Sequence, residues 1–429
     1  MPVTGGAGPP DAVSFGAALR WWLRLGFISF GGPAGQIAIM HDELVVRRRW
    51  ISERRFLHAL NYCMALPGPE AQQLATYIGW LLHGARGGIA AGVLFVLPSF
   101  FILIALSWIY LAYGDVPAVA GVLYGLKPAV TAIVLYAAWR IGRRVLRDPA
   151  LWAIAALAFA AISFAQTPFP LIILLAAAIG FAGGRFAPAR FAPATHAAVA
   201  ERAGTALIDD DTPPPAHARH SRGRFLRTLA LGLGLWGAVY GALVLAPGAD
   251  HRLALMGAFF TGAALVTFGG AYAVLPYLVQ AAVVQYGWLT AAQMIDGLAL
   301  GETTPGPLIM VVAFVGFLGA GLSGALVATF FTFLPSFVFI LLGGPLVEGT
   351  RADVKLTAPL TAVTAAVVGV IASLAVFFAG HVLWQDARPD WIAIAITTGA
   401  AVALVRFDAG IIRTLAASAT AGLLYTLIR

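Results

Sequence analysis

Gly301-Glu302-Thr303-Thr304-Pro305-Gly306-Pro307 is the stretch that decides how this chain folds. A Pro-Gly-Pro triplet cannot continue a helix, because proline lacks the N–H and fixes its own backbone angle. Yet this one sits between the apolar stretches 290–303 and 308–319. The same triplet stands at Pro67-Gly68-Pro69, 238 positions earlier, and at that offset Phe30-Gly31-Gly32 recurs as Phe268-Gly269-Gly270 and Trp50 as Trp288. Pro98-Ser99-Phe100 then answers to Pro335-Ser336-Phe337, and Ala129-Val130-Thr131-Ala132 to Ala362-Val363-Thr364-Ala365. The matches are collinear, so the chain is a duplication. Its halves are 1–184 and 247–429, joined by a polar linker at 185–224 and by the stretch 225–246, which has no counterpart and reads as a connector helix. Asp209-Asp210-Asp211 and Pro213-Pro214-Pro215 give the linker a loose character.

The solvent of this fold follows from composition. Of 429 residues 60% are hydrophobic and 11% charged, against about 25% charged in soluble domains, and the mean hydropathy is +0.87. This excludes a soluble enzyme, a disordered chain and a fibrous repeat, and leaves an all-α polytopic membrane protein. The net charge of +8 is then a matter of cytoplasmic loops rather than nucleic acid. The opening residues lack the basic and apolar regions of a cleaved leader. The lone cysteine, Cys63, can form neither an internal disulfide nor a zinc cluster.

Several apolar stretches are too short to cross a bilayer, which takes about 20 residues. They come in pairs around a breaker: 15–30 with 34–46, and 56–66 with 70–83. Read as re-entrant hairpins, these leave nine crossings. Of the 27 basic residues, only Arg252, Arg388 and Arg429 then fall on the outer side, with Lys127 left inside the membrane. Reading the pairs as single kinked spans puts Arg47–Arg55 or Arg140–Arg147 outside, against the positive-inside rule. The expectation is therefore a cytoplasmic amino terminus and two inverted-topology repeats with broken helices, a recurrent transporter plan.

Helices restart near Ala34, Glu70, Ala271 and Leu308. Free N–H groups and positive dipole ends there suit an anion, and glycine admits it to the backbone. The candidate substrate site thus gathers Gly31, Gly32, Gly269, Gly270, Pro67, Gly68, Pro69, Pro305, Gly306 and Pro307, although such breaks also serve simply to kink helices for packing. Lys127 lies near mid-depth, where a cation costs about 2.5–3.5 kcal/mol on insertion scales. Its countercharge is an anion or one of Glu70 and Glu302, unless the side chain snorkels to an interface. Those two carboxyls flank the triplets and are candidates for proton coupling, with Glu70 equally suited to capping a helix. Thr303, Thr304, Gln72 and Gln73 are candidate donors to an oxyanion. The Arg47–Arg55 cluster reads as a topology signal before it reads as an anion funnel. His41, Asp42 and Glu43 lack metal-ligand spacing, and His58 and Asp296, equivalent in the repeat, are placed near the hairpin bases without a role. No cofactor or metal is expected.

These motifs carry a resemblance. Phe30-Gly31-Gly32-Pro33, Glu43 to Trp50, Leu66-Pro67-Gly68-Pro69, Phe95 to Ser99, Phe268 to Pro276 and Gly301 to Pro307 together resemble the chromate ion transporter family in its long, two-domain form. The resemblance spans about 15–428 apart from the linker. It implies a bacterial or archaeal inner-membrane protein that exports chromate and confers resistance, driven by the proton-motive force or the membrane potential. Two departures leave substrate preference open. Many members carry a His where this chain has Gly35-Gln36, and many carry a Gln where it has Ala313. Sulfate is a tetrahedral dianion much like chromate, so the partner is a chromate- or sulfate-like oxyanion, with protons as the coupling ion. An intramembrane lipid-phosphate enzyme is the rival reading, but no arginine lies within ten residues of either triplet to serve it. A channel is the third. A homodimer is expected only by analogy with inverted-repeat transporters.

Overall fold

The structure is a computed structural model that describes residues 11–30, 32–191, 205–213, 215–245, 251–268, 270–350, 357–385 and 388–428. In the first half the helices are α1 (Phe15–Ile28), α2 (Gly32–His41), α3 (Glu53–Ala65), α4 (Glu70–Tyr113), α5 (Pro117–Val145), α6 (Pro149–Ser163) and α7 (Phe169–Phe186). The connector is α8 (Arg222–Leu245). The second half holds α9 (His251–Val266), α10 (Ala271–Val279), α11 (Ala291–Thr303), α12 (Val311–Thr350), α13 (Thr357–Val382), α14 (Trp391–Arg406) and α15 (Ile411–Ile428). A two-residue antiparallel pair, Trp384↔Pro389 and Gln385↔Arg388, closes the turn between α13 and α14. Among the described residues, seven helices are long and apolar enough to span a bilayer: α4, α5, α7, α8, α12, α13 and α15. The chain is an all-α polytopic membrane protein. Its outer surface shows large apolar side chains to lipid, among them Leu157, Leu174, Phe181, Leu231 and Trp391.

The duplication is visible in backbone detail. Each half has a turn of π-helix after its second helix, at Asp42–Arg47 and at Gln280–Gln285. The first long helix of each half is broken at a glycine in the left-handed region, at Gly84 (φ 64°) in α4 and at Gly321 (φ 63°) in α12. Only glycine adopts that geometry without strain.

The breaks fold the short helices into hairpins. Val13 O accepts from His83 Nε2 at 2.8 Å, and His41 pairs with Glu53. The start of α1, the ends of α2 and of the first part of α4, and the start of α3 therefore meet at one face. In the second half Arg252 donates to Gly319 O at 2.7 Å, and Trp288 stacks on Phe260. The far end of α4 brings Tyr110 to Asp296 at 3.0 Å, beside the second set of bases. The far end of α12 brings Glu348 to the first set, where it accepts from Tyr77 at 2.6 Å and faces Arg55 at 3.7 Å.

The central pair is α5 against α13, and the halves exchange their last helices: α14 and α15 pack on α5, whereas α6 and α7 pack on α13. Small residues make this close. A Cβ on Gly125 would collide with the backbone of Ser418 and Gly422 on α15. The described part of the linker is not loose. Leu207 and Ile208 N–H groups donate to Arg49 and Trp50 carbonyls, Ser52 donates to Asp210 at 2.6 Å, and Arg55 donates to Thr212 O at 2.6 Å. Backbone pairing, invisible in an acidic and proline-rich composition, ties this segment across the hairpin bases.

Candidate functional site

The four breaks meet in the middle of the molecule by exchanging backbone bonds between halves. Gly306 N–H donates to Ser29 O at 2.7 Å, and Gly68 N–H donates to Thr267 O at 2.8 Å. Each Pro-Gly-Pro turn thus caps the helix that precedes the Phe-Gly-Gly break of the other half. Gly68 and Gly306 hold φ of 122° and 98°. A Cβ on Gly306 would lie 2.8 Å from Ser99 Cβ, and one on Gly68 would strike Ser336 Oγ. Ser99 and Ser336 belong to the matching Pro-Ser-Phe motifs, so each turn nests on the other half's long helix. Gln36 clamps the seam by donating to Gly306 O at 2.6 Å, and Gln73 donates to Pro67 O at 2.7 Å.

A cavity of about 370 Å³ opens beside this seam. Gly32 and Pro33 at the start of α2 line it, as do Gly270 and Tyr272 at the start of α10, Glu70 at the start of α4, and Arg140 and Arg144 from α5. Gly32 and Gly270 are both left-handed, at φ 71° and 95°. Two helix N-termini therefore border one cavity that Arg140 and Arg144 also line, an arrangement that attracts anions and can solvate them with N–H donors. Tyr272 donates to Glu302 Oε1 at 2.7 Å, which links that carboxyl to the cavity wall.

The sequence candidates divide. Gly32, Gly270 and Glu70 line this cavity, and Glu302 touches it through Tyr272. Pro67, Gly68, Pro69, Pro305, Gly306 and Pro307 form the seam, with both glycine N–H groups engaged. Thr303 and Thr304 spend their hydroxyl protons on Leu300 O and Gly301 O at 2.7 and 2.8 Å. Gly31 and Gly269 lie outside the described residues. Lys127 is elsewhere. It lines a second cavity of about 770 Å³ at the opposite face, paired with Asp296 at 3.2 Å rather than with Glu70 or Glu302.

Two residues escaped the sequence reading. Arg140 was absorbed into the positive-inside count, since a ligand arginine and a topology arginine look alike in sequence. Asp296, equivalent to His58 in the repeat, carries no role in sequence when it is placed near a hairpin base. The signal for Asp296 was Lys127 itself, a membrane-depth cation in need of a carboxylate.

A family profile described as "Chromate transporter" matches residues 17–181 and 254–423, one segment in each half. The chain belongs to the chromate transporter family. Among its relatives, the chromate transport protein of Pseudomonas aeruginosa is 35% identical over 366 residues, covering 84% of this chain and 80% of that protein. The chromate transport protein of Cupriavidus metallidurans is 30% identical over 383 residues, covering 86% and 87%. The probable chromate transport protein of Synechococcus elongatus is 30% identical over 366 residues, covering 85% and 84%. No solved structure matches the chain. The family is one of transporters, not enzymes, and the lipid-phosphate enzyme reading is set aside on that ground. In this family setting, the matched segments cover both hairpin pairs and leave out the linker and the connector α8.

Proposed function

We propose that the chain is a secondary active transporter that exports chromate, or a related tetrahedral oxyanion such as sulfate, across the inner membrane and so confers chromate resistance. The observation that carries this reading is the cavity where the N-termini of α2 and α10 converge with Arg140 and Arg144. The relatives named as chromate transport proteins supply the substrate. The halves would be inverted repeats with nine crossings, α6 and α14 being the two short ones, with the amino terminus and Arg47–Arg55 in the cytoplasm. The anion would enter from that basic side and exchange water for the N–H groups of α2 and α10 and the Arg140 guanidinium. Glu70 in the cavity and Glu302 behind Tyr272 would take up protons, since an ionised carboxylate beside the site repels a dianion. A homodimer is the assembly we favour.

Flux of radiolabelled chromate and sulfate in everted vesicles tests this, with the proton gradient and the potential dissipated separately. We expect chromate uptake that collapses with one of the two gradients and a pH profile that changes in Glu302→Gln. Equal flux with and without the protein overturns the proposal, and an unchanged profile in Glu302→Gln removes that carboxyl from coupling.

A further inference from the structure

Lys127 and Asp296 meet in the second cavity, at the far face from the breaks, and the transport reading above leaves this pair without a task. Lys127 and Arg140 share α5 but are 13 residues apart in number, about 20 Å along the helix axis. Between them α5 is sealed by buried Ala129, Val130, Ala132, Ile133 and Val134. Among the described residues, Arg140 and Lys127 thus line cavities toward opposite faces, with an apolar layer between them.

The pair is asymmetric in a way that matters chemically. The Lys127 side chain is 29% exposed and that of Asp296 only 3%, and both residues line the cavity. Asp296 Oδ2 takes both Lys127 Nζ at 3.2 Å and the Tyr110 hydroxyl at 3.0 Å. Oδ1 is buried and has no hydrogen-bond partner among the described residues. One oxygen thus does all the holding, and the other can accept a proton without breaking a bond already made. A buried carboxylate with an idle oxygen is a poor structural element, but it suits a group that changes protonation state.

We propose that Lys127 and Asp296 form a second, proton-gated anion station at this face, a step that rests on the oxyanion-transport reading. With Asp296 ionised, Lys127 is neutralised, and an arriving dianion would have to strip a carboxylate of its only cation. When a proton from the cavity settles on Oδ1, the ion pair is discharged. The Lys127 ammonium then faces the cavity as an uncompensated cation and takes an oxygen of the dianion. Proton and anion bind together, and by linkage each tightens the other. At the face opposite Arg47–Arg55 the station thus makes anion occupancy depend on the pH of that compartment. Other titratable groups face this cavity. Asp115 is exposed at its mouth on the loop after α4, and His381 lies at the end of α13 with Nδ1 on Phe377 O at 2.8 Å. Tyr124 of α5 donates to Asp390 at the start of α14, and Tyr425 of α15 stacks on Tyr124. His381 and Asp115 carry ionisable side chains in the same cavity, and their part in any pH dependence must be separated from that of Asp296.

Equilibrium binding of radiolabelled sulfate to the full chain in lipid nanodiscs provides the test, in an Arg140→Ala background that weakens the first cavity. Residual binding should tighten as pH falls, by up to about tenfold per pH unit, the limit for one linked proton. In the isosteric Asp296→Asn variant it should be equally tight at high and low pH, and Lys127→Gln should abolish it. Tyr110→Phe, which keeps both charges, should move the pH midpoint without removing binding. His381→Gln and Asp115→Asn should keep the pH dependence. Survival of that dependence in Asp296→Asn, or of binding in Lys127→Gln, overturns the station. Complete loss of binding on Arg140→Ala alone leaves one site and also overturns it, while the transport reading stands. If the unmutated protein binds neither sulfate nor chromate at any pH, the transport reading itself falls and takes the station with it.

Discussion

On the proposed reading, Arg140 would complete a charge balance that the helix ends alone leave short. Each helix N-terminus is equivalent to roughly half a positive charge, so α2 and α10 together offset about one charge of a dianion. Arg140 supplies the other, and an ionised Glu70 in the same cavity would cancel it again. On the proposed reading the site would therefore hold a dianion best with Arg140 present and Glu70 neutral. Arg140→Ala should lower chromate flux in vesicles by about ten- to a hundredfold, the worth of one charge-assisted hydrogen bond. Arg144→Ala, one helical turn further along α5, should cost less, and Arg140→Lys should recover part of the loss. Equal flux in wild type and Arg140→Ala at matched protein level would remove Arg140 from the site. At this scale the sequence was least legible. It marked Lys127 as a charge without an excuse, which is sound, but the partner is Asp296, and the arginine beside the breaks was hidden among topology signals. Which charges face a cavity depends on how helices distant in sequence pack, and no local pattern encodes that.

The Pro-Gly-Pro breaks matter less for the N–H groups they expose than for how the two halves lock. Gly68 and Gly306 N–H groups are used up by Thr267 O and Ser29 O, so the Pro-Gly-Pro turns work as a clasp between halves. The Phe-Gly-Gly breaks stay open to the cavity through Gly32 and Gly270. Gly306→Ala should then destabilise the fold, because its Cβ meets Ser99 and its φ is positive. Overpacking of this kind costs about 1–3 kcal/mol and should appear as a lower apparent Tm of the purified protein. Adding Ser99→Gly should recover the steric part and leave the backbone part, and an unchanged Tm in Gly306→Ala would refute the clasp. The breaks, the repeat register and the short paired helices could all be read from the sequence, since proline and glycine act locally. The π-helical turns could not. Asp42–Arg47 and Gln280–Gln285 share only a Val-Val pair. Nor could the matched left-handed residues after them, Arg49 at φ 51° and Gly287 at φ 59°, where one half pays for the turn with a non-glycine residue.

At the scale of the whole molecule the two faces differ in how they are closed. At the face of the first hairpin bases, the linker segment, Arg55, Glu348 and Tyr77 form a buried polar knot. At the other face the cavity around Lys127 is open. Such an arrangement has a sidedness, and labelling can read it. The only native cysteine, Cys63, is fully buried, so the background reaction with a membrane-impermeant maleimide should be low. Trp50 is itself buried, which makes the exposed Arg47 and Arg86 the better probes for the ends of the first hairpin pair. If the hairpins re-enter and the basic side is cytoplasmic, Arg47→Cys and Arg86→Cys should both be silent in intact cells and both react in everted vesicles. Asp115→Cys, at the mouth of the second cavity, should behave the other way round. Labelling of Arg47→Cys and Arg86→Cys from opposite sides would mean that α3 and the start of α4 cross the bilayer as one kinked span. The cavities of Arg140 and Lys127 would then no longer face opposite compartments. Agreement would place Arg140 within reach of the cytoplasm and Lys127 within reach of the outside, which is the separation that an exporter of a dianion requires.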